Sequence, residues 1–236
     1  MNARKTLRPA AMPREFLAFL KAPALVQPAG LRAPGALHAW AMLVALHIAG
    51  LLLVVLPILY AWQSAFNLPS PDAFGKVPPG WLPPLVIAIA PVIEELVFRG
   101  WQTGRPRALW LLGCVIAAGA VLVMRPHGLP PLAIGVGLLA ILAAALAGWL
   151  WLRRRATPGW YARAYPVVFY AAVAVFAALH LMNYPRAALI GLPMVLPQLW
   201  GALLLGFMRM RIGLPASILG HAAANATVLA VAMVTN

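Results

Sequence analysis

Residues 81–100 read WLPPLVIAIAPVIEELVFRG. Up to Ile93 the stretch carries no charge; it then sets Glu94 and Glu95 side by side, with Arg99 one helical turn beyond Glu95. The whole chain has 4 acidic residues (Glu15, Asp72, Glu94 and Glu95), so half of them stand at the edge of one apolar segment. A run of this length and polarity is a membrane-crossing helix, which needs about 20 apolar residues. An ionisable side chain inside such a helix costs about 2.5–3.5 kcal/mol on insertion scales, so it faces a protein or water-filled interior and has a use there.

The rest of the sequence agrees with a membrane reading. Of 236 residues, 64% are hydrophobic and 9% charged, whereas a soluble domain is about a quarter charged. The net charge of +14 does not point to nucleic acid, because the basic residues sit between apolar runs and not along one face. They fit flanks held at an anionic leaflet. Cys114 is the single cysteine and lies in an apolar run, so there is no disulfide framework and Cys114 reads as a packing residue.

Apolar runs occur near 36–60, 82–102, 108–124, 129–152, 165–182, 189–208 and 214–234. The fold expected is therefore all-α, a polytopic transmembrane helix bundle of about seven spans, with six to eight as the range. RPHG at 125–128 makes a tight turn, and Pro130 and Pro131 suit a helix start. Residues 1–35 carry six Lys or Arg and lack a cleavable signal pattern. They are expected to be a cytoplasmic or interfacial segment with a short amphipathic turn at REFLAFLKA, followed by a single helical domain over 36–236. With the N-terminus inside, 15 of the 18 Lys and Arg fall on the cytoplasmic side; Lys76, Arg125 and Arg186 fall outside. This asymmetry is the positive-inside pattern and would leave the C-terminus outside. Trp40, Trp62, Trp81, Trp101, Trp110, Trp149, Trp151 and Trp160 lie near span ends, where an aromatic belt would put them. The loop 61–80 is the longest external connection.

Few polar residues remain in the spans. Glu95 and Arg99 are i, i+4 with the acid first, the favourable order for a helical ion pair. Glu94 is rotated about 100° from Glu95 and points elsewhere. FAALH places Phe176 and His180 at i, i+4, and HAAAN does the same for His221 and Asn225. One carboxylate, two imidazoles and a carboxamide from three helices are enough for water-activated hydrolysis: a base, an acid, and donors to an oxyanion. Each of these residues also has a plain use in packing and hydrogen bonding within a bundle. His38 and His47 are nine residues apart and about half a turn out of phase, which argues against a shared site, and His127 lies in a turn.

EELVFRG (Glu94, Glu95, Arg99), FAALH (Phe176, His180) and HAAAN (His221, Asn225), in this order and each in a span, resemble the three signature motifs of the CPBP or Abi family. That family includes the type II CAAX prenyl endopeptidases and proteins described as bacteriocin-processing or self-immunity proteases. The resemblance covers roughly 82–103 and 165–231, and GFMRMRIGLPASILG before His221 adds to it.

By that resemblance the chain is a peptidase of the inner membrane. Glu94 with His180 would activate water, His221 and Asn225 would hold the oxyanion, and Glu95, Arg99 and Phe176 would support the site. No cofactor is required on this reading; Glu94, His180 and His221 form an alternative set of ligands for a divalent metal such as zinc, although no short zinc spacing such as HExxH is present. The partners implied are membrane lipids and a membrane-associated protein or peptide substrate, with no nucleic acid and the oligomeric state open. The Ala-, Leu-, Pro- and Arg-rich composition suggests a bacterial source, where a peptide tail or leader segment suits better than a prenylated one. Two rivals use the same residues: a non-catalytic immunity or scaffold protein, and a proton-coupled transporter with Glu94, His180 and His221 as a relay.

The sequence departs from the family pattern in three ways. An apparent extra helical hairpin at 108–152 separates the first two motifs, and the turn Arg211, Ile212, Gly213 is a degenerate form of the common one. Counting residues from the span ends also puts His180 about 10 Å nearer the outer face than Glu94 and His221, at about 1.5 Å per residue.

Overall fold

Prolines shape two of the long helices. In a computed structural model of the chain, residues 6–71, 75, 77–184 and 189–235 are described; Arg4, Lys5, Asp72, Lys76 and Arg186, which entered the reading above, lie outside them. The described residues form a short helix α1 (Met12–Lys21) and seven helices long and apolar enough to cross a membrane. These are α2 (Ala36–Ala65), α3 (Pro79–Arg99), α4 (Pro106–Val123), α5 (Pro131–Leu152), α6 (Gly159–Asn183), α7 (Leu189–Arg211) and α8 (Leu214–Val234). The protein is an all-α polytopic bundle, with no strand among the described residues.

Both α2 and α3 contain a wide π turn, at Leu51–Val55 and Leu85–Ile89, and each is followed two residues later by a proline, Pro57 or Pro91. Proline has no N–H and its ring presses on the carbonyl four residues back, so the ordinary helical ladder cannot run through it. The residue just before the proline reaches one carbonyl further back: Leu56 N–H bonds Leu51 O, and Ala90 N–H bonds Leu85 O. Such single wide turns are the usual form of the π-helix.

The chain divides into two compact units. One holds 1–95 and 166–236, the other 96–165. In the first unit α7 is the central helix, with Leu204, Leu205, Phe207, Met208 and Met210 almost fully buried. Small residues let its neighbours approach. A Cβ on Gly50 of α2 would collide with the ring of Trp200, and that indole donates to His47 O at 3.0 Å. Trp40 likewise donates to Ala216 O (3.0 Å) and Trp62 to Ile190 O (2.9 Å). In hydrocarbon no hydrophobic force draws helices together, so close packing and such hydrogen bonds hold them. Trp40 and Trp62 thus pin helices to one another, while Trp81, Trp110, Trp149, Trp151 and Trp160 are exposed.

The amphipathic turn anticipated near residue 14 is a full helix, and its apolar face is turned onto the protein. Phe16 packs on Phe207 (5.5 Å between ring centroids) and Phe19 on Phe169 (5.0 Å). Glu15 pairs with Arg211, and the amides of Ala29 and Gly30 take the carbonyls of Arg211 and Ile212 that end α7. A helix end leaves such carbonyls without intrahelical donors.

The second unit is an α-hairpin of α4 and α5. Its turn is a 3-10 turn, Arg125–His127, closed by Gly128 at φ +89°. Trp110 of α4 donates to Ala144 O of α5 at 2.9 Å, over Gly148, where any Cβ would collide with the indole. At the base of the hairpin, Thr157 donates to Thr103 O (2.9 Å).

Candidate functional site

The site lies in the first unit, where α3 meets α8. Glu94 and Glu95 stand one turn past the wide turn of α3, and Ser217, His221 and Asn225 follow one another at four-residue steps along α8, on one face of that helix. His221 is at the centre. Its Nδ1 is 3.0 Å from Glu95 Oε1, and its Nε2 is 3.7 Å from Glu94 Oε2. The Ser217 hydroxyl donates to the other oxygen of Glu95. Glu95 is fully buried and His221 7% exposed; the side chain of Glu94 is 27% exposed, although its Oε2 is buried and takes no hydrogen bond from the described residues. The two adjacent glutamates therefore have different surroundings: Glu95 is a buried acceptor behind the ring, and Glu94 faces the ring's far nitrogen from the more open side.

Because a carboxylate only accepts, the hydrogen between His221 and Glu95 sits on Nδ1. His180 reaches a similar arrangement by another route. It lies where α6 tightens into a 3-10 turn, His180–Asn183, and its Nδ1 is 2.8 Å from Phe176 O. A carbonyl cannot donate, so Nδ1 carries the hydrogen and Nε2 presents a lone pair in the neutral ring. Phe176 packs against both imidazoles, 4.7 Å from His180 and 6.4 Å from His221 between ring centroids.

Asn225 has its own partner: Nδ2 donates to Val86 O at 2.9 Å, inside the wide turn of α3. Arg99 is buried, 2% exposed, at the end of α3. His38 is exposed and His47 buried, the opposite faces expected from their spacing; His127 is exposed in its turn.

The structure brings Glu94, Glu95 and His221 together directly, and His180 shares the ring of Phe176 with His221. It does not gather Glu94, His180 and His221 as a metal site: among the described residues no group of three or more His, Cys, Asp and Glu side chains is arranged to hold a metal ion. In both imidazoles Nδ1 is the bonded nitrogen, to Phe176 O in His180 and to Glu95 in His221. Sequence reasoning missed Ser217, Val86 and Pro91. Ser217 had a signal, since it stands four residues before His221 as Asn225 stands four after.

Residues 77–161 match the model of a family described as type II CAAX prenyl endopeptidase Rce1-like. The match takes in the two glutamates and Arg99 and runs on through the α4–α5 hairpin; His180, His221 and Asn225 lie beyond it. No curated protein and no solved structure matches the chain. The family match supports the CAAX-protease-like kinship drawn from the three motifs, and with seven apolar helices it supports a multi-pass membrane peptidase.

Proposed function

We propose that the protein is an intramembrane endopeptidase that hydrolyses peptide bonds in the tails or leader segments of membrane-associated proteins, with Glu94 and His221 at the reacting centre. The observation that carries this is the single imidazole held between two carboxylates, one buried behind it and one reaching the same space as its far nitrogen.

Glu94 takes a proton from water, and the water oxygen attacks the carbonyl carbon. His180 Nε2, a lone pair in the neutral ring, accepts the water's second hydrogen bond. The carbonyl electrons move onto oxygen, and the oxyanion accepts hydrogen bonds. Since Nδ1 of His221 gives its hydrogen to Glu95, donation from Nε2 belongs to the imidazolium form, in which each nitrogen faces a carboxylate. The amide of Asn225 has a second hydrogen besides the one bonded to Val86 O, and this is the other oxyanion donor. When the tetrahedral intermediate collapses, the C–N bond breaks and Glu94 returns its proton to the leaving nitrogen. Glu95, with Ser217 behind it, sets the ring orientation, as a buried carboxylate does for other catalytic imidazoles. No step needs a metal.

On this reading the chain sits in a bacterial inner membrane with its N-terminus in the cytoplasm, which the distribution of Lys and Arg supports. Its partners are lipids and a membrane-held peptide.

The test is paired. Wild type and Glu94→Gln are purified in detergent, their thermal stabilities compared, and both incubated with a library of membrane-proximal peptides, with and without chelator. Cleavage should fall by about 10²–10⁴-fold in the variant at equal stability, as for loss of a general base, and be unaffected by chelator. A wild type that cuts nothing, with a variant that melts early, would make the glutamates packing residues and sink the proposal.

A further inference from the structure

We infer that Asn225 is a positioning residue that keeps α3 in its widened form, by supplying the donor that Pro91 lacks. In an ordinary helix the carbonyl of residue 86 accepts from the amide of residue 90; in a π turn it accepts from residue 91. Here the Ala90 amide is given to Leu85 O, and residue 91 is a proline with no N–H to give. Neither helical pattern leaves Val86 O a backbone donor. The side-chain amide of Asn225, arriving from α8, meets it at 2.9 Å.

The consequence for the site follows from spacing. Asn225 stands one turn beyond His221 on α8, and Glu94 one turn beyond Ala90 on α3. The clamp therefore lies one turn from His221 along α8 and about two turns before Glu94 along α3. Without it, the nearest repair for an orphaned carbonyl in an apolar setting is to return the Ala90 amide to Val86 O. That closes the wide turn and rotates the helix before it by about 100° relative to the glutamates. The inference rests on the proposed reaction only for this effect on cleavage; the clamp itself is read from stability and exchange.

Four proteins test it: wild type, Asn225→Ala, Pro91→Ala and the double variant, each in the same detergent. Asn225→Ala should lower Tm by about 2–6 °C, the range for one carbonyl left without a donor in a chain of this size. It should also speed hydrogen exchange in the segment 85–95 and leave α7 unchanged. With Pro91→Ala a backbone donor returns to residue 91, so adding Asn225→Ala should lower Tm by less than half as much. An equal loss in both backgrounds overturns the inference. If Pro91→Ala fails to accumulate, exchange in the single Asn225→Ala variant decides, and unchanged protection over 85–95 overturns it. An Asn225→Ala protein with lower kcat but unaltered Tm and exchange would make Asn225 an oxyanion donor alone, which also overturns it. If wild type cuts no peptide, the Tm and exchange results still decide the clamp.

Discussion

Helix α8 and the two helices of the α4–α5 hairpin are apolar segments of similar length, 21 residues against 18 and 22, and they use their apolarity in different ways. No residue of α4 is buried, and α5 buries only Ile134 and Gly148. Helix α8 buries Ala216, Ser217, Gly220, His221 and Ala224, two of them polar, and its small residues keep the face thin enough for α3 to come close. The hairpin is mostly exposed surface around one indole pin, whereas α8 is a wall with a hydrogen-bonded stripe. Apolar surface facing lipid gains little from a helix partner. A buried hydroxyl or imidazole must find a partner, and that need selects which face of α8 turns inward.

Removing the stripe's anchor should break this contrast hardest. Glu95→Ala leaves the His221 Nδ1 and the Ser217 hydroxyl without their acceptor; unfolding in detergent should show a loss of about 3–5 kcal/mol, typical of breaking a buried pair. A change of 1 kcal/mol or less would mean that Glu95 does not organise α8. The hairpin's one tight spot ranks next. In Gly148→Ala the new methyl meets the Trp110 ring, displaces its bond to Ala144 O, and should destabilise by about 1–3 kcal/mol despite the better helix propensity of alanine. Ser217→Ala removes one bond to Glu95 and should cost about 1 kcal/mol; in a peptide-cleavage assay its main effect should be on kcat. The smallest change belongs to the hairpin's outer surface. Ile116 is 62% exposed, and Ile116→Ala should stay within about 0.5 kcal/mol; a larger loss would mean that another protein surface covers it.

The spans were legible because hydropathy is a property of composition, and a bilayer imposes it on every crossing segment. Glu94, His221 and Asn225 were legible as singular polar residues in apolar runs, and spacing alone put His221 and Asn225 on one face. What spacing could not convey was which partner each would take. Glu95 was read through its i, i+4 relation to Arg99, yet its carboxylate also serves Ser217 and His221 from another helix. Phe16 and Phe19 give the same amphipathic pattern whether they meet lipid or Phe207 and Phe169. An indole N–H is equally satisfied by interfacial water or by a backbone carbonyl, so Trp40 and Trp62 read as belt residues when they are pins between helices. The spans were also longer than their hydropathy: α2 runs to Ala65, into the stretch read as external loop, and α6 begins at Gly159.

The wide turns of α2 and α3 have a consequence for how such a chain tolerates change. A π turn is the shape a helix takes when it holds one residue more than its neighbours require. In α3 the wide turn absorbs that surplus residue, so the stretch before residue 85 and the carboxylates after residue 90 keep the facing they would have in a helix one residue shorter. Deleting one residue from the turn would let it close into an ordinary helix with both glutamates still facing the same way, whereas a deletion in a stretch with no wide turn to close swings everything beyond it about 100° around the axis; the wide turn makes this segment the more tolerant of a change in length.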